Sequence, residues 1–157
     1  EFGDFAAQGV CMAGNAFATV LLVKGQEDFG EEELSALKAS LEHLGYAPEA
    51  WATLLTTTKT GDPINPELVR QAISAFSPDT VLMVNDAAVA SVREAYAEEL
   101  DQLKTDAEKI FSPRVLVRVC GMRMVNLDNF ASALDDPHQK QMRWAAIKQV
   151  PPLGEPY

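Results

Sequence analysis

The stretch Asp79–Tyr96, DTVLMVNDAAVASVREAY, decides the fold. Val81, Leu82, Met83 and Val84 form a continuous apolar run that stops at Asn85-Asp86, as a strand buried on both faces does. Beyond it Val89, Val92 and Tyr96 recur at the three-to-four-residue period of an amphipathic helix, for which Asp86 is a natural cap. Strand, turn and helix make one unit, and the rest of the chain repeats it.

Toward the N-terminus the same unit occurs twice. Ala18–Val23, ATVLLV, predicts a strand, and a polar turn leads from it into a helix with Glu31, Glu32 and Glu33 in its first turn, where carboxylates favour the helix dipole. Leu34, Leu37, Leu41 and Leu44 give that helix its apolar stripe, and Gly45 stands where a C-terminal cap belongs. Trp51–Thr57 predicts a second strand, running out into the turn Lys59-Thr60-Gly61-Asp62-Pro63. Asn65-Pro66-Glu67 then supplies a cap, a first-position proline and a first-turn acid for a helix buried through Leu68, Val69, Ala72, Ile73 and Phe76. Residues 1–17 are Gly- and Ala-rich and read as an irregular lead-in.

Toward the C-terminus, residues 98–110 read as an acidic helical excursion, because Glu94–Lys109 holds six acids against two lysines. Val115–Cys120, VLVRVC, predicts the fourth strand, with Arg118 marking a less buried face or edge. A closing helix starts at Asp136-Pro137 and carries Met142, Trp144, Ala145 and Ile147. The alternation predicts a single α/β domain over residues 1–157, a three-layer α/β/α sandwich around a mainly parallel four-stranded sheet. Function in such sheets is built at the carboxyl ends of the strands, here the turns Lys24–Asp28, Thr56–Lys59, Asn85–Asp86 and Met122–Asn129.

Composition narrows the chemistry. With 157 residues, 47% of them hydrophobic, the chain is long enough for a sizeable core. No apolar run reaches the ~20 residues that cross a bilayer, and no signal-peptide pattern opens the chain, so a cytoplasmic protein with no membrane association is expected. Cys11 and Cys120 belong to no metal-binding cluster and are expected to be buried, inert thiols. His43 and His138 read as ordinary surface or cap-adjacent histidines. Residues 1–110 carry 7 basic and 19 acidic side chains and residues 111–157 carry 6 and 4, so duplex nucleic acid could be met only through a local basic mouth. No turn holds GxGxxG or GxxxxGK[ST], and neither a cofactor nor a metal is expected.

Two site readings follow from the turns. Glu27 and Asp28, after the first strand, are positioned to orient a water, although an acidic turn before a helix is a common solvated feature. Lys24, Lys59 and Arg123 stand near three of the four strand ends and together suggest an anion site for a phosphodiester or an acidic partner.

The segments GNAFATVLLVKG, ELSALKASLEHLGYAPEAWATLLTTTK, NPELVRQAISAFSPDTVLMVNDAAVASV and ALDDPHQKQMRWAAIKQV resemble the uracil-DNA glycosylase superfamily in sequence and spacing over about residues 14–150. The closing helix carries the most specific part, with Pro137, Lys140 and Trp144 at matching positions, and Lys59 matches the lysine after the second strand. The functional motifs depart. KGQEDFG replaces GEAPG, leaving Gln26 or Glu27 as the polar residue near the water; Thr56 stands where the base-reading Asn would be; Asn129-Phe130-Ala131-Ser132 stands in place of HPS. Thr56 cannot make paired amide contacts to a flipped base. The chain also resembles the psi subunit of bacterial DNA polymerase III, a protein-protein connector.

The resemblance thus implies a glycosylase-like domain without the catalytic motifs, a non-catalytic binding or scaffolding module in DNA metabolism that offers its acidic helices to a basic protein. An atypical glycosylase using Glu27 or Asp28 for water and Asn129 as electrophile is the alternative enzyme, with Lys24, Gln26, Thr56, Lys59, Asn85, Arg123 and Asn129 lining the ligand site. An unrelated α/β binding domain is the third reading.

Overall fold

The structure is a computed structural model and describes residues 10–14, 18–26, 29–46, 50–58, 62–147 and 149. Glu27, Asp28 and Lys59 lie outside the described residues. The elements in order are β1 (Met12–Gly14), β2 (Val20–Lys24), α1 (Glu31–His43), β3 (Trp51–Leu55), α2 (Pro66–Phe76), β4 (Thr80–Met83), α3 (Asp86–Ala95), α4 (Ala97–Asp101), α5 (Asp106–Lys109), β5 (Leu116–Val119), β6 (Met122–Asn126), a one-turn 3₁₀ helix (Phe130–Ala133) and α6 (Pro137–Ile147).

The sheet has six strands in the order β1-β3-β2-β4-β6-β5. Its four inner strands run parallel, and β1 and β5 pair antiparallel at the two edges. The expected four-stranded sheet is therefore corrected to a six-stranded mixed one. Met12–Gly14, within the stretch read as irregular, adds one edge. Within Val115–Cys120, Leu116–Val119 forms the other edge rather than the fourth parallel strand, which is Met122–Asn126, a segment read as a turn. Cys120 and Gly121, at φ 51° and 81°, make the two-residue turn that joins β5 to β6. That turn exposes Cys120, and Cys11 is only half-buried, so neither thiol is the fully buried one expected.

Alternation along the strands builds two apolar layers. Leu21, Val23, Leu54, Val81 and Met83 face α2 and α3, which bury Val69, Ile73, Phe76 and Val92. Val20, Leu22, Leu82 and Val125 face the other way, against Leu37 and Leu41 of α1 and Ala146 and Ile147 of α6. Helices thus cover both sides of the sheet. Among the described residues no helix is long and apolar enough to cross a membrane.

The caps explain where the helices start. Asn65 accepts a hydrogen bond from the Glu67 amide at 2.8 Å ahead of Pro66, as the sequence indicates. Asn85, and not Asp86, caps α3, accepting from the Ala88 amide at 3.1 Å. Asp136 accepts from the His138 amide at 3.0 Å as α6 begins.

The acidic stretch is anchored by one ion pair. Arg70 on α2 meets Glu99 on α4 through two hydrogen bonds, 2.8 and 2.5 Å long, and its guanidinium lies 4.7 Å from the Tyr96 ring centre. The Arg70 hydrogen bond holds the Glu99 carboxyl down to about 2. A depressed carboxyl pKa stabilises the fold above its ordinary value of about 4.5, and the contribution disappears as pH falls toward 2. Urea midpoints of the protein and of Glu99→Gln should therefore differ at neutral pH and converge between about pH 4.5 and 2, with wild type the more stable above that window.

Candidate functional site

The chain leaves β2 toward α1 on one face of the sheet and leaves β4 toward α3 on the other. β2 and β4 are neighbours, so their diverging turns open a crevice at the carboxyl edge, the place where α/β sheets hold ligands. A cleft of about 320 Å³ lies there, and the segment after β6 closes its third side. Its walls include Lys24 at the end of β2 and Gln26 just beyond it, Glu33 on α1, Asn85 and Asp86 at the start of α3, Asn129 in the turn after β6 and Ser132 in the 3₁₀ helix that follows.

Three turns named from the sequence therefore converge, but most of their polar groups bind one another. Asn85 uses its side-chain oxygen twice, accepting from the amides of Gly25 and Ala88, each at 3.1 Å. Its side-chain amide donates to the Gly25 carbonyl at 2.8 Å. One side chain thereby ties the end of β2 to the first turn of α3. Asn129 is held likewise: it accepts from the Asp86 amide and donates to the Asp86 carboxylate, both at 3.0 Å.

The Asn129 turn is fixed from behind. Asp128 and Asn129 both adopt left-handed backbone, φ 57° and 54°, which Asp and Asn tolerate better than most residues. Buried Arg143 on α6 donates through Nε and Nη2 to the Asp128 carbonyl at 3.2 and 2.7 Å. Arg114 pairs with the Asp128 carboxylate at 3.1 Å. The closing helix thus positions the third wall of the cleft. Phe130 is buried in the layer beneath α6 rather than in the mouth.

The charges fall differently from expectation. Lys24 is 3% exposed, and its ammonium pairs with Glu33 at 2.5 Å while lying 5.8 Å from the Phe29 ring centre. Glu33 Oε1 also accepts from the Gly30 amide at 3.2 Å, closing the first turn of α1. Arg123 pairs in register with Thr80, the first residue of β4, so it stands at the opposite, amino edge of the sheet. The physical cause is the strand assignment: once Met122–Asn126 is a parallel strand, its first residues point away from the site. The anion site expected from Lys24, Lys59 and Arg123 therefore does not assemble among the described residues.

Thr56 is fully buried and lines no part of the cleft. Its hydroxyl packs behind Gly25, where a Cβ would stand 2.5 Å from Thr56 Oγ1 and 2.8 Å from the Ala87 methyl. Only glycine lets β2 run this close to α3. Glu33, Asp86 and Ser132 line the cleft without having been singled out as site residues. Asp86 and Ser132 sit beside residues that were, whereas Glu33 lay hidden in an acidic first turn. Among the described residues no group of three or more metal-ligating side chains occurs.

Asn85→Ala removes a cap and two bonds across the cleft and should cost about 2–4 kcal/mol in urea denaturation. Asn129→Ala, which removes two bonds at the rim, should cost about 1 kcal/mol. Gly25→Ala should cost about 1–3 kcal/mol by overpacking against Thr56 and Ala87. No protein-family model and no curated protein matches the chain.

Proposed function

We propose that this chain is a glycosylase-like α/β domain that works without catalysis, as a binding or scaffolding module in DNA metabolism. One observation carries the non-catalytic part: the asparagines of the mouth are engaged by the chain itself. Reading a flipped base needs a side-chain amide free to present donor and acceptor together. Asn85 has given its oxygen to two backbone amides, and Asn129 is bound at both amide atoms by Asp86. Lys24, the described cation of the mouth, faces Glu33. The DNA-metabolism part rests on the resemblance in sequence to the uracil-DNA glycosylase superfamily and to the psi subunit.

Acidic surface supports a basic partner. Glu31, Glu32 and Glu42 of α1 are exposed, as are Glu94, Glu98, Asp101 and Asp106 along α3, α4 and α5. Such a field steers a positively charged surface and repels a phosphate backbone.

The test is base release from single- and double-stranded oligonucleotides containing uracil or hypoxanthine, with DNA affinity measured against salt. No release and no salt-sensitive binding are expected. Base release that Asn129→Ala abolishes would overturn the reading in favour of an atypical glycosylase. A lysine-rich probe peptide should bind, more weakly as salt rises, and Glu94→Lys with Asp101→Lys should weaken it about two- to fivefold.

A further inference from the structure

The charge balance inside the cleft points to a ligand of the opposite sign from the one the strand-end lysines suggest. The described charged groups in its walls are Lys24, Glu33 and Asp86. Lys24 and Glu33 neutralise each other, so Asp86 leaves the mouth anionic. Glu33 is 3% exposed, and while its Oε1 serves Lys24 and Gly30, its Oε2 has no hydrogen-bond partner. A buried carboxylate oxygen without a donor costs free energy, and a ligand that brings a donor recovers it. Asp86, exposed at the rim, adds a second carboxylate: its Oδ2 accepts from Asn129, and its Oδ1 is the atom left for a ligand.

We propose that this cleft binds a small organic cation, an ammonium or amidinium group on a short apolar body. The charged head sits between Glu33 Oε2 and Asp86 Oδ1, and the body lies against Ala87 and Ala131. A volume of about 320 Å³ falls at the lower end of small-molecule sites. A divalent metal lacks the ligands it needs among the described residues. A phosphate or nucleotide would meet Asp86 with like charge. The proposal goes beyond the scaffolding reading, which places a macromolecule on the outer acidic helices and leaves the cleft unassigned.

The experiment is an amide NMR titration of the full chain with benzylamine, beside benzyl alcohol, uridine and inorganic phosphate as separate probes. Saturable shifts at Gln26, Asp86 and Ser132 with benzylamine, and much weaker ones with benzyl alcohol, are expected. Asp86→Asn keeps the acceptor for Asn129 and should weaken benzylamine about tenfold, the loss of one charge-assisted contact. Lys24→Met combined with Glu33→Leu removes the buried pair without orphaning either charge, and should weaken it at least as much. Absence of saturable benzylamine binding to wild type would overturn the proposal, as would binding unchanged by Asp86→Asn. Preferential binding of uridine or phosphate would overturn it too. Failure here leaves the oligonucleotide and peptide assays untouched, so the two readings fall separately.

Discussion

The hydrogen bonds of Asn85 are the constraint on which the carboxyl edge depends. Neighbouring strands that send their turns to opposite faces leave backbone groups at the divergence with no sheet partner. Asn85 fills that gap: it satisfies the amide and the carbonyl of Gly25 and caps α3 with the same oxygen. Gly25 in turn must lack a side chain, because Thr56 and Ala87 occupy the space a Cβ would need. The polar Asn85-Asp86 turn thus serves the architecture. What remains for a ligand is the rest of the lining, with Gln26, Asp86 and Ser132 at the rim and the Lys24–Glu33 pair behind them.

Much of the inner architecture was legible because local chemistry and global packing agree. The leucine stripe of α1, the Asn65-Pro66 start of α2 and the apolar run Val81–Met83 within β4 each match the element found. The edges were legible only in part: Arg118 marked β5 as less buried, and it is exposed on the edge strand, but the direction of that strand and the strand after it were hidden for a physical reason. β5 alternates Leu116, Val117, Arg118 and Val119 and is as apolar as a central strand, because one of its faces packs on the core. β6 contains Arg123 and Asn126, polar residues that disguise a parallel strand; Asn126 is buried because its amide donates to the Phe111 carbonyl at 2.8 Å. Cys120-Gly121 is not a common hairpin signal, yet it turns the chain between them.

The direction of β6 decides which charges reach the site. A turn beginning at Met122 would put Arg123 at the mouth, whereas strand pairing carries it to the far edge of the sheet. Lys24 ends β2 and lines the cleft, but the sequence does not show its partner. Glu33 lies nine residues away and reaches back across the turn, a contact that no local period encodes. A buried ion pair of this kind contributes little net stability, since desolvation offsets most of its attraction. Its larger effect is to cancel the one described cation of the mouth and to leave Glu33 Oε2 waiting for a donor.

The central claim, that the mouth's asparagines serve the fold, is most directly tested by side-chain amide hydrogen exchange in the free protein. If Asn85 is the strut between β2 and α3, its Nδ2 proton bonded to Gly25 should exchange far more slowly than the exposed Gln26 amide. The protection should also persist when uracil-containing DNA is added. An Asn85 amide that exchanges as fast as Gln26, or that becomes protected only with DNA, would contradict the account and return this residue to the base-reading role.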